Sequence, residues 1–238
     1  MWYDRGMFQQ MDFSQTSTWI ILGIILGVTL ISMILHELMH GLTAYWLGDN
    51  TAKEAGRLTL NPIKHIDPIM TILLPLLMAA TGGPIFGGAK PVPFNPERVR
   101  GGEWGSALVG IMGPITNLLL SFIAYCVVIL IGGKKFLIIP ELINVTTFSG
   151  ALMEFLVMSV YVNLGFFAFN ILPIPPLDGS RVLYAVAPPA VQRAMDIIEH
   201  TIGLMIVFLI VCLFATTLNR VMLEIINGVL AGFQFILS

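Results

Sequence analysis

Charge is scarce in this chain. Only 11% of its 238 residues are Asp, Glu, Lys or Arg, and 56% are hydrophobic. Soluble domains carry about 25% charged residues. A water-soluble globule is excluded because too little charge is left to face water. Intrinsic disorder is excluded because the apolar content is too high. Twelve basic residues stand against fourteen acidic ones, a net charge of −2, with no basic block. No electrostatic footprint for nucleic acid exists, so no nucleic-acid partner is expected. Cysteine is nearly missing too. Cys126 and Cys212 sit inside apolar stretches and read as small buried hydrophobes, giving neither a disulfide framework nor a cysteine metal site. No internal repeat is evident, and no polar gap approaches the ~50 residues that a separate domain needs.

What remains is a series of stretches free of Asp, Glu, Lys and Arg: 13–35, 68–89, 104–133, 155–177, 201–219 and 225–238. A membrane helix needs roughly 20 apolar residues. The ten-residue alternation of a transmembrane barrel is absent. The chain therefore reads as an all-α polytopic membrane protein, a single domain over 1–238, with five to six apolar helices. The segments are A (18–47), B (68–80), C (104–131), D (148–172), E (200–217) and F (221–238). A motif-bearing core covers about 18–187, and E and F are expected as a C-terminal helical hairpin over about 200–238. Segment A has no basic n-region and no cleavage site, so it is read as a retained helix and not a signal peptide. After it, Arg57-Leu58-Thr59-Leu60 alternates like a short strand before the Asn61-Pro62 stop. A Gly/Pro-rich loop, 81–102, joins B to C.

Within segment A lies His36-Glu37-Leu38-Met39-His40, an H-E-x-x-H pattern. Residues four apart share a helix face, so both imidazoles can bind one metal ion, with Glu37 beside them to take a proton from water. Zinc is the usual ion for such a site. Three ionisable residues at membrane depth must be compensated, and one metal ion compensates all three. Two His leave the site a ligand short. Asn170-Ile171-Leu172-Pro173-Ile174-Pro175-Pro176-Leu177-Asp178-Gly179 follows segment D. Three prolines in four positions cannot continue a helix, and non-helical backbone near membrane depth lines a cavity or is buried in protein. Asp178 is thus either the third ligand or the N-cap of a helix starting near Ser180; the demand of segment A favours the ligand. Asn170 either donates to a developing oxyanion or bonds a backbone carbonyl freed by Pro173. Asn117, in Gly113-Pro114-Ile115-Thr116-Asn117, reads as an interhelical hydrogen-bonding residue, with Gly113 aiding close packing. His65 and His200 read as interfacial, not as ligands.

These residues resemble the site-2 protease family of intramembrane zinc metalloproteases. His-Glu-Leu-Met-His matches its H-E-x-x-H motif, Asn170 to Gly179 match its second motif, and Gly-Pro-Ile-Thr-Asn matches the G-P-x-x-N of the intervening helix. Gly56 to Pro62 and Ala89 to Pro96 look like the short bacterial and archaeal members without PDZ or CBS domains. The resemblance implies one Zn²⁺ ion held by His36, His40 and Asp178, Glu37 as catalytic base, and Asn170 assisting near the oxyanion. It implies hydrolysis of a peptide bond in or next to a transmembrane segment, with a membrane-protein substrate and the lipid bilayer as partners, in a prokaryotic cell membrane. The oligomeric state is left open. A membrane metal-ion transporter or metal-binding protein using the same His/Asp cluster is the alternative.

Topology can be tested by parity. For Asp178, after segment D, to meet His36 and His40, late in A, segments A and D must run the same way. Either B or C then does not span, and B, short and holding Pro75, is the candidate. With B not spanning, eight Lys and Arg fall on the side of 48–103 and 173–200 and four on the other. Positive residues favour the cytoplasm. The N-terminus is therefore expected outside, with the metal site nearer the cytosolic face.

Overall fold

A computed structural model describes residues 14–68, 71, 89–199 and 203–237. Seven α-helices occur among them: α1 (Thr16–Trp46), α2 (Thr51–Glu54), α3 (Gly102–Leu130), α4 (Phe148–Asn170), α5 (Gly179–Val186), α6 (Pro189–Ile197) and α7 (Gly203–Ile236). Four are long and apolar enough to cross a membrane: α1, α3, α4 and the Leu213–Ile236 part of α7. Segments A, C and D correspond to α1, α3 and α4 with ends within two residues. The described part of segment B is Pro68 and Thr71; its other residues, like His200, lie outside the described residues.

The helix ends follow from local chemistry. α1 stops at Gly48, whose φ of +104° suits glycine. There the Asp49 N–H reaches Ala44 O and the Gly48 N–H reaches Tyr45 O, closing the last carbonyls in a Schellman arrangement. α4 begins at Thr147, whose hydroxyl accepts from the Gly150 N–H at 3.1 Å, a side-chain N-cap.

α3 is the central helix, packed between α1 and α4 and touched by α5. Residue pairings give the directions. His40 lies by Val109 and His36 by Asn117, so α3 runs antiparallel to α1. Asn117 bonds Asn163, and Ser121 bonds Val160 O, so α4 runs antiparallel to α3. α1 and α4 are therefore parallel, as parity requires. The end of α1 is tied directly to the start of α3: the Arg100 N–H donates to Leu47 O, and its guanidinium donates to Trp46 O. The core between α3, α4 and α7 is apolar, built on Tyr125, Val160, Leu164, Ala168 and Phe233.

Two expectations are corrected. Residues 57–60 form no strand, and no strand occurs among the described residues. The Arg57 N–H turns back to Ala52 O and the Thr59 N–H to Arg57 O, so the donors that a ladder needs are used within the turn. Segments E and F are not two helices separated near 218–220. Helix α7 runs through those positions, and its break lies at Phe214 (φ −116°, ψ 21°). Thr216, Asn219 and Arg220 are polar, but polarity alone does not end a helix, and no Gly or Pro stands there to do so.

Beyond α1, Asp49 organises the loop layer. It is buried and accepts from the Thr51 N–H (3.0 Å), the Thr51 hydroxyl (2.5 Å) and the Asn95 N–H (2.6 Å). Burial alone would raise its carboxyl, but these bonds, with Arg98 nearby, hold it below its ordinary value.

Candidate metal centre

His36 and His40 stack one turn apart on α1, both buried, with their Nε2 atoms 3.0 Å apart. Asp178 stands at the N-cap position of α5, but its side chain makes no capping bond. Instead Oδ2 lies 3.0 Å from His36 Nε2 and 3.3 Å from His40 Nε2. The turns of 171–178 deliver it, and α5 holds it there. Arg181 pairs with Glu199, and its Cβ packs where a Cβ on Gly110 would lie 2.9 Å away. Of the two readings left open for Asp178, the capping bond is not made.

The hydrogen-bond network fixes which imidazole nitrogens carry protons. Val109 O can only accept, so His40 donates to it from Nδ1 (2.7 Å). Ser159 O can only accept, so Asn163 donates to it from Nδ2 (2.8 Å). Asn163 Oδ1 then accepts from Asn117 Nδ2 (2.8 Å). That orientation leaves Asn117 Oδ1 facing His36 Nδ1 (2.5 Å), so His36 donates there. With Nδ1 the donor on both rings, it is Nε2 of each neutral imidazole that offers a lone pair to a metal ion beside the Asp178 carboxylate. Asp178 Oδ2 is buried and has no hydrogen-bond partner.

Three candidate ligand atoms from separate residues, all within 4.8 Å of one another, could hold one cation among them. Two imidazole nitrogens and one carboxylate oxygen form the three-ligand set of catalytic zinc, and outer bonds at Nδ1 are how such histidines are oriented. The residues fit the ion. They also predict an outcome. Asn117→Ala, which removes the acceptor for His36, should lower metal affinity about tenfold in a chelator competition; unchanged affinity would mean that the relay does not orient the ring.

Glu37, between the two histidines, is half-buried, and its Oε2 accepts from the Val92 N–H at 2.8 Å. His40 lies six residues, about 9 Å, before Trp46. Trp46 and Trp104 are exposed at the same end of the bundle, where aromatic residues mark a membrane–water interface. Asn170 closes α4 and donates from Nδ2 to Phe166 O, one turn back (3.1 Å). His65 is not interfacial in the sense of being exposed: it is 1% exposed and bonds Thr59 O. It does not join the cluster. Cys126 is a partly buried free thiol; the side chain of Cys212 lies outside those described.

Sequence reasoning missed Asn163 and Val92. Asn163 had a signal, an amide within an apolar helix. The Val92 contribution is a backbone N–H, which leaves no side-chain trace.

The model of peptidase family M50 matches residues 24–214. A Bacillus subtilis (strain 168) protein named "Putative zinc metalloprotease YwhC" is 42% identical over 201 residues, 83% of each chain. A Mycolicibacterium smegmatis protein named "Putative zinc metalloprotease Rip2" is 34% identical over 199 residues, 83% of this chain and 69% of that one. A protein of the same name from Mycobacterium tuberculosis (strain H37Rv) is 32% identical over 191 residues, 80% of this chain and 66% of that one. No solved structure matches.

Proposed function

The chain belongs to peptidase family M50 and is a zinc metalloprotease of the site-2 type; from that premise we propose that it hydrolyses a peptide bond in or beside a transmembrane segment of a membrane-protein substrate. One zinc ion is held by His36, His40 and Asp178. The observation that carries this reading is the three-ligand cluster, with His36 and His40 buried and Asp178 half-buried and Glu37 in register beside the histidines, on a helix long and apolar enough to span a membrane.

Lewis acidity, which polarises a carbonyl and acidifies water, is what zinc supplies when bound. The chain's own residues do the rest. Glu37 takes a proton from the attacking water and returns it to the leaving amine. Asn170 uses one amide proton on Phe166 O, and the other is available to the carbonyl oxygen as charge develops. Asn170→Ala should therefore lower kcat about tenfold to a hundredfold with metal content unchanged; a loss below threefold would confine this side chain to its helix. The protein is an integral membrane protein. Eight Lys and Arg on the side of 48–103 and 173–200 against three on the other, Arg5, Lys134 and Lys135, with Arg220 inside α7, favour a prokaryotic cell membrane orientation with the N-terminus outside and the site toward the cytosol.

The decisive experiment uses purified protein in liposomes with a transmembrane peptide. Cleavage that a chelator stops and zinc restores supports the reading. Metal-ion flux in the same liposomes without any proteolysis replaces it with the transporter.

A further inference from the structure

Residues 89–95 cross the end of α1 and are fastened on both sides of their middle. On one side the Lys90 N–H donates to His65 O (2.8 Å) and the Lys90 carbonyl accepts from Arg57 Nη2 (2.6 Å). On the other the Asn95 N–H donates to Asp49 Oδ2 (2.6 Å). The three fastening residues, Arg57, His65 and Asp49, are all buried. Between them lies Pro91-Val92-Pro93. Proline has no N–H, so the amide of Val92 is the single main-chain donor of these three residues, and it is given to Glu37 Oε2 at 2.8 Å. Val92 is itself buried, and its Cγ1 lies 2.9 Å from where a Cβ on Gly41 would stand.

We propose that the main-chain N–H of Val92 is a positioning group for Glu37, holding one carboxylate oxygen so that the other, Oε1, is presented to the reacting water. This rests on the reading of Glu37 as base. A glutamate side chain has three rotatable bonds, and freezing them before reaction is the kind of preorganisation that raises kcat. An N–H bonded to a carboxylate is a charge-assisted bond, among the stronger ones available. Two features mark this as a fixed support and not a shutter waiting to open. The segment is fastened by buried groups at both ends. The Val92 side chain packs on Gly41, one turn beyond Glu37, so moving the amide away would also empty that contact.

The test uses the full-length, metal-loaded protein in liposomes with a transmembrane peptide. Val92→Pro deletes the N–H; kcat should fall about tenfold to a hundredfold, with KM within about twofold and metal content unchanged. Val92→Ala trims the side chain but keeps the amide, and should lose no more than about threefold. A second measurement needs no activity: hydrogen exchange at the Val92 amide, the one exchangeable backbone position across 91–93. It should be protected in the parent and exchange at least about tenfold faster in Glu37→Ala, while the Asn95 amide, held by Asp49, is unchanged. Activity that rises or stays level in Val92→Pro overturns the proposal, as does equal exchange at Val92 with and without Glu37. If Val92→Pro fails to fold, the exchange comparison decides. If the parent cleaves no peptide at all, the protease reading falls, while exchange still reports whether Val92 holds Glu37.

Discussion

Glu37→Gln is expected to cut kcat by about 10²- to 10⁴-fold while the protein keeps its metal. Gln has the shape of Glu but cannot take a proton, so the substitution removes the base and little else. The metal cluster should survive, because neither imidazole bonds Glu37: His36 is held by Asn117 and His40 by Val109 O. The loop contact should survive as well, since the amide oxygen of Gln can still accept from the Val92 N–H. The loss should therefore appear in kcat, with KM nearly unchanged and metal stoichiometry at the parental value. Cleavage within tenfold of the parent would remove Glu37 as the base. Loss of metal together with activity would move Glu37 into the ligand set.

The convergence of His36, His40 and Asp178 was legible in the sequence for two different reasons. The histidines are four apart on a helix, so their shared face follows from helix geometry alone. Asp178 was reached from a carboxylate that follows a proline-broken helix end and from the third ligand that two histidines lack; the parity of the spans was then inferred from their meeting. The ends of α1, α3 and α4 were legible because apolar runs stop there at polar residues or glycine. The strand at 57–60 was misread because alternation says nothing about whether a partner ladder exists, and here the amides fold back on their own turn. The break between the last two apolar segments was placed at 218–220 and lies at Phe214 instead, an apolar residue that carries no stop signal in the sequence. The outer bonds of the site were only half visible. Asn117 was recognised as an interhelical donor, but that its partners are His36 and Asn163 depends on how three helices rotate against one another, which no single segment encodes.

Gly113→Ala is expected to lower metal affinity about a hundredfold, and the reason lies in the spacing of α3. Val109, Gly113 and Asn117 are four apart, so they line one face: an acceptor for His40, a gap, and an acceptor for His36. The imidazoles lie across that gap. A Cβ on Gly113 would fall 2.5 Å from His40 Cε1 and 2.7 Å from His36 Cε1, far inside normal carbon–carbon separation. If the rings rotate to make room, their Nε2 atoms leave the position shared with Asp178. If α3 retreats instead, both Nδ1 bonds lengthen together, and outer bonds of this kind are worth about tenfold to a hundredfold in affinity apiece. Either relaxation weakens the site, and overpacking adds about 1–3 kcal/mol of destabilisation. Gly27→Ala is the matched control: it lies on α1 with nothing within 4 Å of an added Cβ, so it should bind metal as the parent does. Chelator competition on both variants measures the difference. Parental affinity in Gly113→Ala would mean that the imidazoles do not lie across α3 in the metal-bound protein, and the geometry assigned to the site would be wrong.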